Sequence, residues 1–403
     1  MPKDQVNEHF VQRLPRNIWI VSITSFLMDV SSEMVLNLLP LFLASVLGVR
    51  TTFIGLIEGL AESTASLLRI VSGWLSDRLG SRKWLAVAGY GFSALAKPVF
   101  YFAHSWGTVA ASRWGDRVGK GIRTAPRDAL VADSITPENR GLAFGFHRAA
   151  DTAGALLGII GALLAVWLMQ GGSYELQAQT FRLIVLVSLI PAVLAVLTLA
   201  VGARDVKGPN WERPSVQFRG LGKPFLTFLL LVGLFELGNS ADAFLILRAR
   251  SLGENVLGIL GMLAIFNLVY SVISTPAGWL SDRIPRKGLI VGGWLSYAAI
   301  YLGIGFADRA WMMWPLYLAY GAYYGAAYGT TRALVADIVP TQLRGTAYGA
   351  YSTVVGTLSF PASLVAGYLW DRFSPATPFF FGAALAFLSA IGLWLWRPPS
   401  APL

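Results

Sequence analysis

The stretch Gly73-Trp74-Leu75-Ser76-Asp77-Arg78 recurs verbatim as Gly278-Trp279-Leu280-Ser281-Asp282-Arg283, an offset of 205 residues (73 to 278). A second match keeps the same order. Ala129-Leu130-Val131-Ala132-Asp133, with Arg140-Gly141 and Gly145 after it, returns as Ala333-Leu334-Val335-Ala336-Asp337 with Arg344-Gly345 and Gly349, at an offset of 204 (129 to 333). Two ordered matches at nearly one spacing mark an internal duplication, so the chain reads as two copies of one unit.

Long apolar runs surround the repeated segments. Hydrophobic residues make up 55% of the 403 and charged residues only 13%, with a mean hydropathy of +0.57, a balance that belongs in lipid. A helix needs about 20 apolar residues to cross the hydrocarbon core. Suitable stretches lie near 17–47, 52–76, 84–104, 107–133, 141–170 and 179–202, then near 223–250, 255–281, 288–307, 311–338, 343–370 and 375–396. Runs this long exclude a membrane β-barrel, whose strands are short and alternating. The expectation is an all-α membrane protein of twelve transmembrane helices in two six-helix bundles, residues 1–203 and 223–403. The polar stretch 204–222, with Asp205, Lys207, Pro209, Arg213, Pro214 and Arg219, is the linker between them.

A net charge of +10 would suggest nucleic acid in a soluble domain. Here the basic residues gather at the ends of apolar runs, where they act as topology signals. Arg78, Arg82, Lys83, Arg140, the linker's Arg204 and Lys207, Arg283, Arg286, Lys287 and Arg344 fall on connectors of one side, while Arg50, Arg309 and Arg372 fall on the other. That bias predicts both termini in the cytoplasm, as an even helix count requires. The polar segment Met1 to Arg16 carries no apolar core of a removable signal, so the first helix is itself the insertion signal. With no cysteine and three histidines, disulfides, thiolate ligands and a His-rich metal cage are all disfavoured.

Continued as Leu79-Gly80-Ser81-Arg82-Lys83 and Ile284-Pro285-Arg286-Lys287, the two copies resemble the G-x-L-x-D-R-x-G-R-K signature that follows helices 2 and 8 in the major facilitator superfamily. The resemblance covers the whole chain, and Ser81 and Pro285 depart from the usual basic residue and glycine. It implies two bundles related by a pseudo-two-fold axis and solute transport by alternating access. It also implies a cytoplasmic gate, here Gly73, Asp77, Arg78 and Arg82 with Arg140, and Gly278, Asp282, Arg283 and Arg286 with Arg344.

The fourth predicted helix carries Arg113, Asp116, Arg117, Lys120, Arg123, Arg127 and Asp128. A lone charge at mid-bilayer costs at least ~2.5 kcal/mol. All but the flanking Arg123 fall within an arc of roughly 120°, which predicts a stripe lining an aqueous pathway. Its run from Arg117 to Ala125 resembles the R-x-x-Q-G-x-G-A-A motif of proton-coupled facilitators, with Lys120 at the Gln position and Arg123 at a Gly position. Neighbouring helices supply Asp29 and Glu33, then Glu58, Glu62 and Arg69, then Arg148 and Asp151, the last two read as an i, i+3 ion pair beside His147. Over these helices seven acids face seven bases. So large a cluster in a membrane marks a proton or ion path, because buried ion pairs stabilise less than apolar packing does. The alternative is that the charges only hold the bundle together. Lys97, before Pro98, has no nameable partner.

The second half is poorer in charge, with Glu236, Asn239 and Asp242 on the seventh helix and Arg332 on the tenth. The tenth also carries Tyr317, Tyr320, Tyr323, Tyr324 and Tyr328. Helices 1, 4, 7 and 10 line the cavity of a facilitator, which implies a charged wall facing an aromatic one. Tyr324 and Tyr328 are the deeper candidates, while an interfacial belt accounts equally for Tyr317 and Tyr320.

The run Gly119 to Asp133 further resembles a little-characterised prokaryotic subgroup, some of whose members are connected with nickel resistance. The favoured function is proton-coupled export of a small solute across the inner membrane, powered by the proton gradient without a cofactor. Divalent-metal export, organic-anion uptake and a transport-dead sensor remain alternatives. No nucleotide loop, catalytic triad or metal-ligand spacing stands in the sequence, which argues against an enzyme. The partners implied are a small molecule or ion and the lipid bilayer, not nucleic acid, with the chain acting as a monomer.

Overall fold

In lipid every backbone N–H and C=O must find its partner inside the chain, so apolar spans become helices. A computed structural model describes residues 14–136, 139–171, 175–206, 220–281, 284–327, 330–340 and 343–396, with the backbone alone at 275–281, 327, 332, 333 and 336. In the first half, α1 runs Arg16–Val46, α2 Thr51–Leu79, α3 Lys83–Ala96 with Pro98–Tyr101, α4 Trp106–Asp133, α5 Arg140–Gln170 and α6 Ala178–Gly202. In the second, α7 runs Gly222–Ser251, α8 Val256–Ser281, α9 Arg286–Phe306, α10 Met313–Ala327 with Thr330–Ile338, α11 Arg344–Arg372 and α12 Thr377–Leu395. All twelve predicted spans are present, with ends within about three residues of those read from hydropathy.

Eight described helices are long and apolar enough by themselves to cross a bilayer. α2 and α4 are long enough, at 29 and 28 residues, but carry too much charge. α3 is interrupted at Lys97, whose successor Pro98 has no N–H to continue the ladder.

The duplication is built into the packing. A Cβ on Gly121 of α4 would meet Leu68 Cβ at 2.6 Å and the Ala65 carbonyl at 2.9 Å. A Cβ on Gly325 of α10 would meet Ile273 Cβ at 3.2 Å and the Tyr270 carbonyl at 3.0 Å. These are the same contacts displaced by 204 and 205 residues (121 to 325, 65 to 270). Within each half only a glycine lets α4 reach α2, and α10 reach α8, that closely. α1 and α7 also lose regular helix at corresponding places, at Asn37-Leu38 and at Asn239–Asp242.

The halves meet where α2 lies on α11 and, symmetrically, α5 on α8. The α2–α11 seam closes one end of the molecule. There a Cβ on Gly55 would stand 2.2 Å from the Ser363 carbonyl, and one on Gly367 would stand 2.6 Å from the Thr51 carbonyl. Ser63 donates to the Gly356 carbonyl at 2.6 Å, and Arg250 reaches Glu175 of the other half at 2.9 Å. At the end that carries Asp77, no heavy atom of the described residues beyond the helix's own backbone lies within 4 Å of a Cβ built on Gly141, Gly145, Gly345 or Gly349. The halves are tightly closed on each other at the Thr51 end, and among the described residues these glycine surfaces at the Asp77 end are uncovered.

Candidate functional site

The charged stripe of α4 does not simply line a channel. Arg113 is buried against Glu58 of α2, donating from Nη2 at 2.5 Å and Nε at 3.1 Å, and it lies 3.6 Å from Glu62 and 3.9 Å from Asp116. Arg117 pairs with Glu62 at 2.8 Å. Arg123, predicted to flank the stripe, turns toward α3 instead, donating to Ser93 Oγ at 2.5 Å and stacking over the Tyr90 ring at 4.6 Å. These side chains are buried, so the expectation that the whole stripe faces water is corrected: much of it is an internal α2–α3–α4 network. Burial is tolerable because each cation has a carboxylate, hydroxyl or ring at hand.

A smaller set is left partly exposed. Arg127 binds Asp128 at 2.8 Å and both are partly exposed. Lys120 and Asp29, both half-buried, have no hydrogen-bond or ion-pair partner among the described residues, although Asp29 stands among the charges of Asp151, Lys120, Arg123 and Arg127. Glu33 accepts from Asn37 Nδ2 at 2.8 Å, where α1 turns irregular. Arg69 is half-buried on α2, two turns beyond Glu62. The expected Arg148–Asp151 pair is replaced: Asp151 faces His147 Nε2 at 3.7 Å, and Arg148 donates to the Tyr270 hydroxyl across the halves.

Lys97 does have partners. It is 1% exposed and donates to the hydroxyls of Ser31 and Ser32 beside the Met28 sulfur. Sequence alone could not find them, since they sit on α1, more than 60 positions away.

On the opposite wall, α7 stops at Gly238 and restarts at Ala243. Glu236 is 9% exposed on the last turn before the break and accepts from Asn239 Nδ2 at 3.1 Å, and Asn239 in turn accepts from the Tyr297 hydroxyl at 3.2 Å. Asp242, on the exposed side of the break, accepts from the Tyr320 hydroxyl at 3.0 Å. Tyr317 and Tyr320 are each 2% exposed, so of the two readings open for them it is the interior one that the packing favours. Tyr324 packs edge-on to Tyr270 at 5.9 Å and to Phe266 at 5.7 Å. Tyr328 and the Arg332 side chain lie outside the described residues.

At the gate, Arg82 donates to Asp77 and to Ser76 Oγ at 3.0 Å and bonds Asp133 at 3.3 Å. Partial burial works against its charge, but the bonds and fields of Asp77 and Asp133 hold its pKa above the ordinary arginine value, so it stays cationic. In the second half Arg286 binds Asp337 at 2.6 Å, the same pairing 204 residues on (82 to 286, 133 to 337). Arg78 lies over its own Trp74 and Arg140 donates to the Ala132 carbonyl, so neither joins Asp77 as expected. A Cβ on Gly73 would lie 3.3 Å from Ala125. Arg344 opens α11, and Gly278 is described by its backbone within α8. Asp282 and Arg283 lie outside the described residues. The sequence reading missed Asp205: its carboxylate takes Ser81 Oγ at 2.5 Å and the N–H groups of Arg82 and Lys83 at 2.9 and 3.1 Å. The unusual Ser81 thus ties the signature loop to the start of the linker.

The family model described as Major Facilitator Superfamily matches residues 21–360 and 226–403. An uncharacterized MFS-type transporter of Methanocaldococcus jannaschii is 36% identical over 398 residues, covering 96% of each chain. The multidrug resistance protein MdtH of Klebsiella pneumoniae is 26% identical over 372 residues, covering 86% of each. In fold, the crystal structure of a D-xylose-proton symporter matches with a TM-score of 0.75 at 17% identity, covering 95% of this chain and 98% of that one.

Proposed function

Because the chain belongs to the Major Facilitator Superfamily, and is thus a membrane transporter of small molecules rather than an enzyme, we propose that it exports a small organic solute across the inner membrane in exchange for protons. The two bundles, 1–203 and 223–403, rock about the linker 204–222. The basic connectors place the open Asp77 end and both termini in the cytoplasm, so solute enters the open cavity from the cell. What supports export as the direction is a relative named for multidrug resistance, MdtH of Klebsiella pneumoniae.

One observation carries the coupling. Within a network whose other members are largely paired, Asp29 and Lys120 are partly exposed, feel one another's charge and have no bonded partner among the described residues. A proton taken by Asp29 removes the negative charge that offsets Lys120 and Arg127. The resulting excess of positive charge favours a different arrangement of the halves, and the proton leaves toward the cytoplasm when the state described here returns. The paired Glu58–Arg113 and Glu62–Arg117 hold the wall against which this happens. On the facing wall Asp242, Tyr270 and Tyr324 meet the solute.

The test is proton movement in proteoliposomes loaded with a pH-sensitive dye. Substrate-driven proton flux should vanish when Asp29 is changed to Asn, which leaves the buried Glu58–Arg113 pair in place. If flux survives that change the coupling reading is wrong, and if the wild-type protein binds a ligand yet moves neither proton nor solute, the sensor reading replaces it.

A further inference from the structure

The ammonium of Lys97, buried in the first bundle, is bonded only to neutral groups: the Ser31 and Ser32 hydroxyls, beside the Met28 sulfur. The Ser31 hydroxyl in turn donates to the Ser188 carbonyl of α6 at 2.6 Å. α6 carries no acid between Ala178 and Gly202. Hydroxyls solvate an ammonium without cancelling its charge, so its burial stays costly.

The carboxylate nearest in the packing is Asp116 of α4, 2% exposed. Ser112 Oγ donates to the Ala96 carbonyl at 2.7 Å and Ser93 Oγ to the Asp116 carbonyl at 2.9 Å, which sets positions 97 and 116 on one α3–α4 seam. Asp116 Oδ1 accepts no hydrogen bond among the described residues, and Oδ2 has only Arg113 at 3.9 Å. No direct ion pair joins Asp116 to Lys97 among the described residues. Even so, Lys97 is the charge that acts most strongly on Asp116, ahead of Arg117, Arg123 and Arg113, and Asp116 is the one that acts most strongly on Lys97, ahead of Arg123, Asp29 and Glu33.

The internal repeat shows that the fold does not need charge here. Displaced by 204 residues, Lys97 corresponds to Tyr301 and Asp116 to Tyr320 (97 to 301, 116 to 320). Those rings lie 6.3 Å apart at their centroids and are 1% and 2% exposed. One bundle fills this corner with two phenols, the other with an ammonium and a carboxylate that do not touch.

We propose that Lys97 and Asp116 are a proton-transfer pair that follows the charge of Asp29. With Asp29 ionised, the pair is ionised, as in the state described here. When Asp29 takes a proton, its field no longer favours the ammonium, and the flexible Lys97 stem turns toward Oδ1. One N–H bond of Lys97 breaks, an O–H bond forms on Asp116, and the pair becomes an amine and a carboxylic acid with no change in total charge. The bonds from Lys97 to Ser31 and Ser32 then lose their charge assistance, which loosens α1 from α3. This places Lys97 in the cycle only through the proton-coupled reading, but the transfer itself needs no transport.

The experiment is infrared difference spectroscopy on the protein in lipid nanodiscs, taken through an acid step with no solute and no gradient, so failure here and failure of coupled flux in vesicles are read separately. The wild type should gain the carbonyl stretch of a buried carboxylic acid, and Asp116→Asn should lose that band. Lys97→Arg should lose it too, because a guanidinium keeps its proton; a merely structural cation would leave the spectrum as in wild type. In Asp29→Asn the Asp116 band should stand before the acid step. Absence of an Asp116 band in the wild type, or its persistence in Lys97→Arg, overturns the proposal. If Lys97→Arg does not fold, Asp29→Asn decides, and a band there that still requires the acid step overturns it.

Discussion

The carboxylate of Asp371, on the last turn of α11, accepts from Thr52 of the other half twice, from its N–H at 2.8 Å and its hydroxyl at 2.6 Å. The Thr51 N–H adds a third bond at 3.2 Å. An acid from one bundle thus caps the first turn of α2 in the other, where the unsatisfied N–H groups and the helix dipole favour negative charge. It is a latch on the sealed end.

Opening that end must break the latch, so Asp371→Asn should shift the protein toward the alternate state. The chain contains no cysteine, so a single Ser63→Cys in the α2–α11 seam is a clean reporter. Its labelling by a membrane-impermeant maleimide from the Thr51 end should rise roughly two- to tenfold with Asp371→Asn, since charge-assisted bonds of this kind contribute modestly at exposed sites. Unchanged labelling would mean that apolar packing alone keeps the seam shut.

The buried Glu58–Arg113 pair predicts an asymmetric stability pattern. Glu58→Gln alone should cost about 3–5 kcal/mol, because it strands a guanidinium in the bilayer, whereas Glu58→Leu with Arg113→Met should be near neutral. Thermal unfolding in detergent distinguishes them. A single change as mild as the double one would remove the pair from the structural wall.

Asp29 and Lys120 predict the reverse pattern. Neither is bonded among the described residues, so Asp29→Asn and Lys120→Met should each leave unfolding within ~1 kcal/mol of wild type. Each should abolish proton-coupled transport in vesicles. Large destabilisation by either would return them to the structural network.

Asp205 predicts a local effect. It caps α3 from the linker, a bond set worth roughly 0.5–2 kcal/mol. Asp205→Ala should speed amide exchange at Arg82 to Lys83, and Ser81→Ala should do so less. Exchange confined to wild-type rates would show that the linker start does not hold the signature loop.

The helices, their ends and the duplication were legible because they depend on apolar length and on verbatim repetition. Charge pairing was legible at the signature loop, where Asp77 and Arg82 were expected together and bond. The one pair read along a helix, Arg148 with Asp151, gave way to His147 and Asp151. Glu58 with Arg113, Lys97 with Ser31 and Asp371 with Thr52 join residues 55, 66 and 319 positions apart, and no periodicity within one helix announces them. Tyr320 was left open between two readings for the same reason. A tyrosine near a helix end reads as an interfacial anchor, but the break in α7 brings Asp242 to its hydroxyl.

The bare turns at Gly145 and Gly349 are silent positions in the state described here. With no described atom beyond its own helix backbone within 4 Å of a Cβ, an alanine at either would add no clash among the described residues and change this state's energy little beyond helix propensity. Any arrangement that brings the two halves together at the Asp77 end would have to accommodate the added bulk. Substitutions there would therefore act as a one-sided weight on the transport cycle, invisible to stability measurements on this form and legible only in how often the protein leaves it.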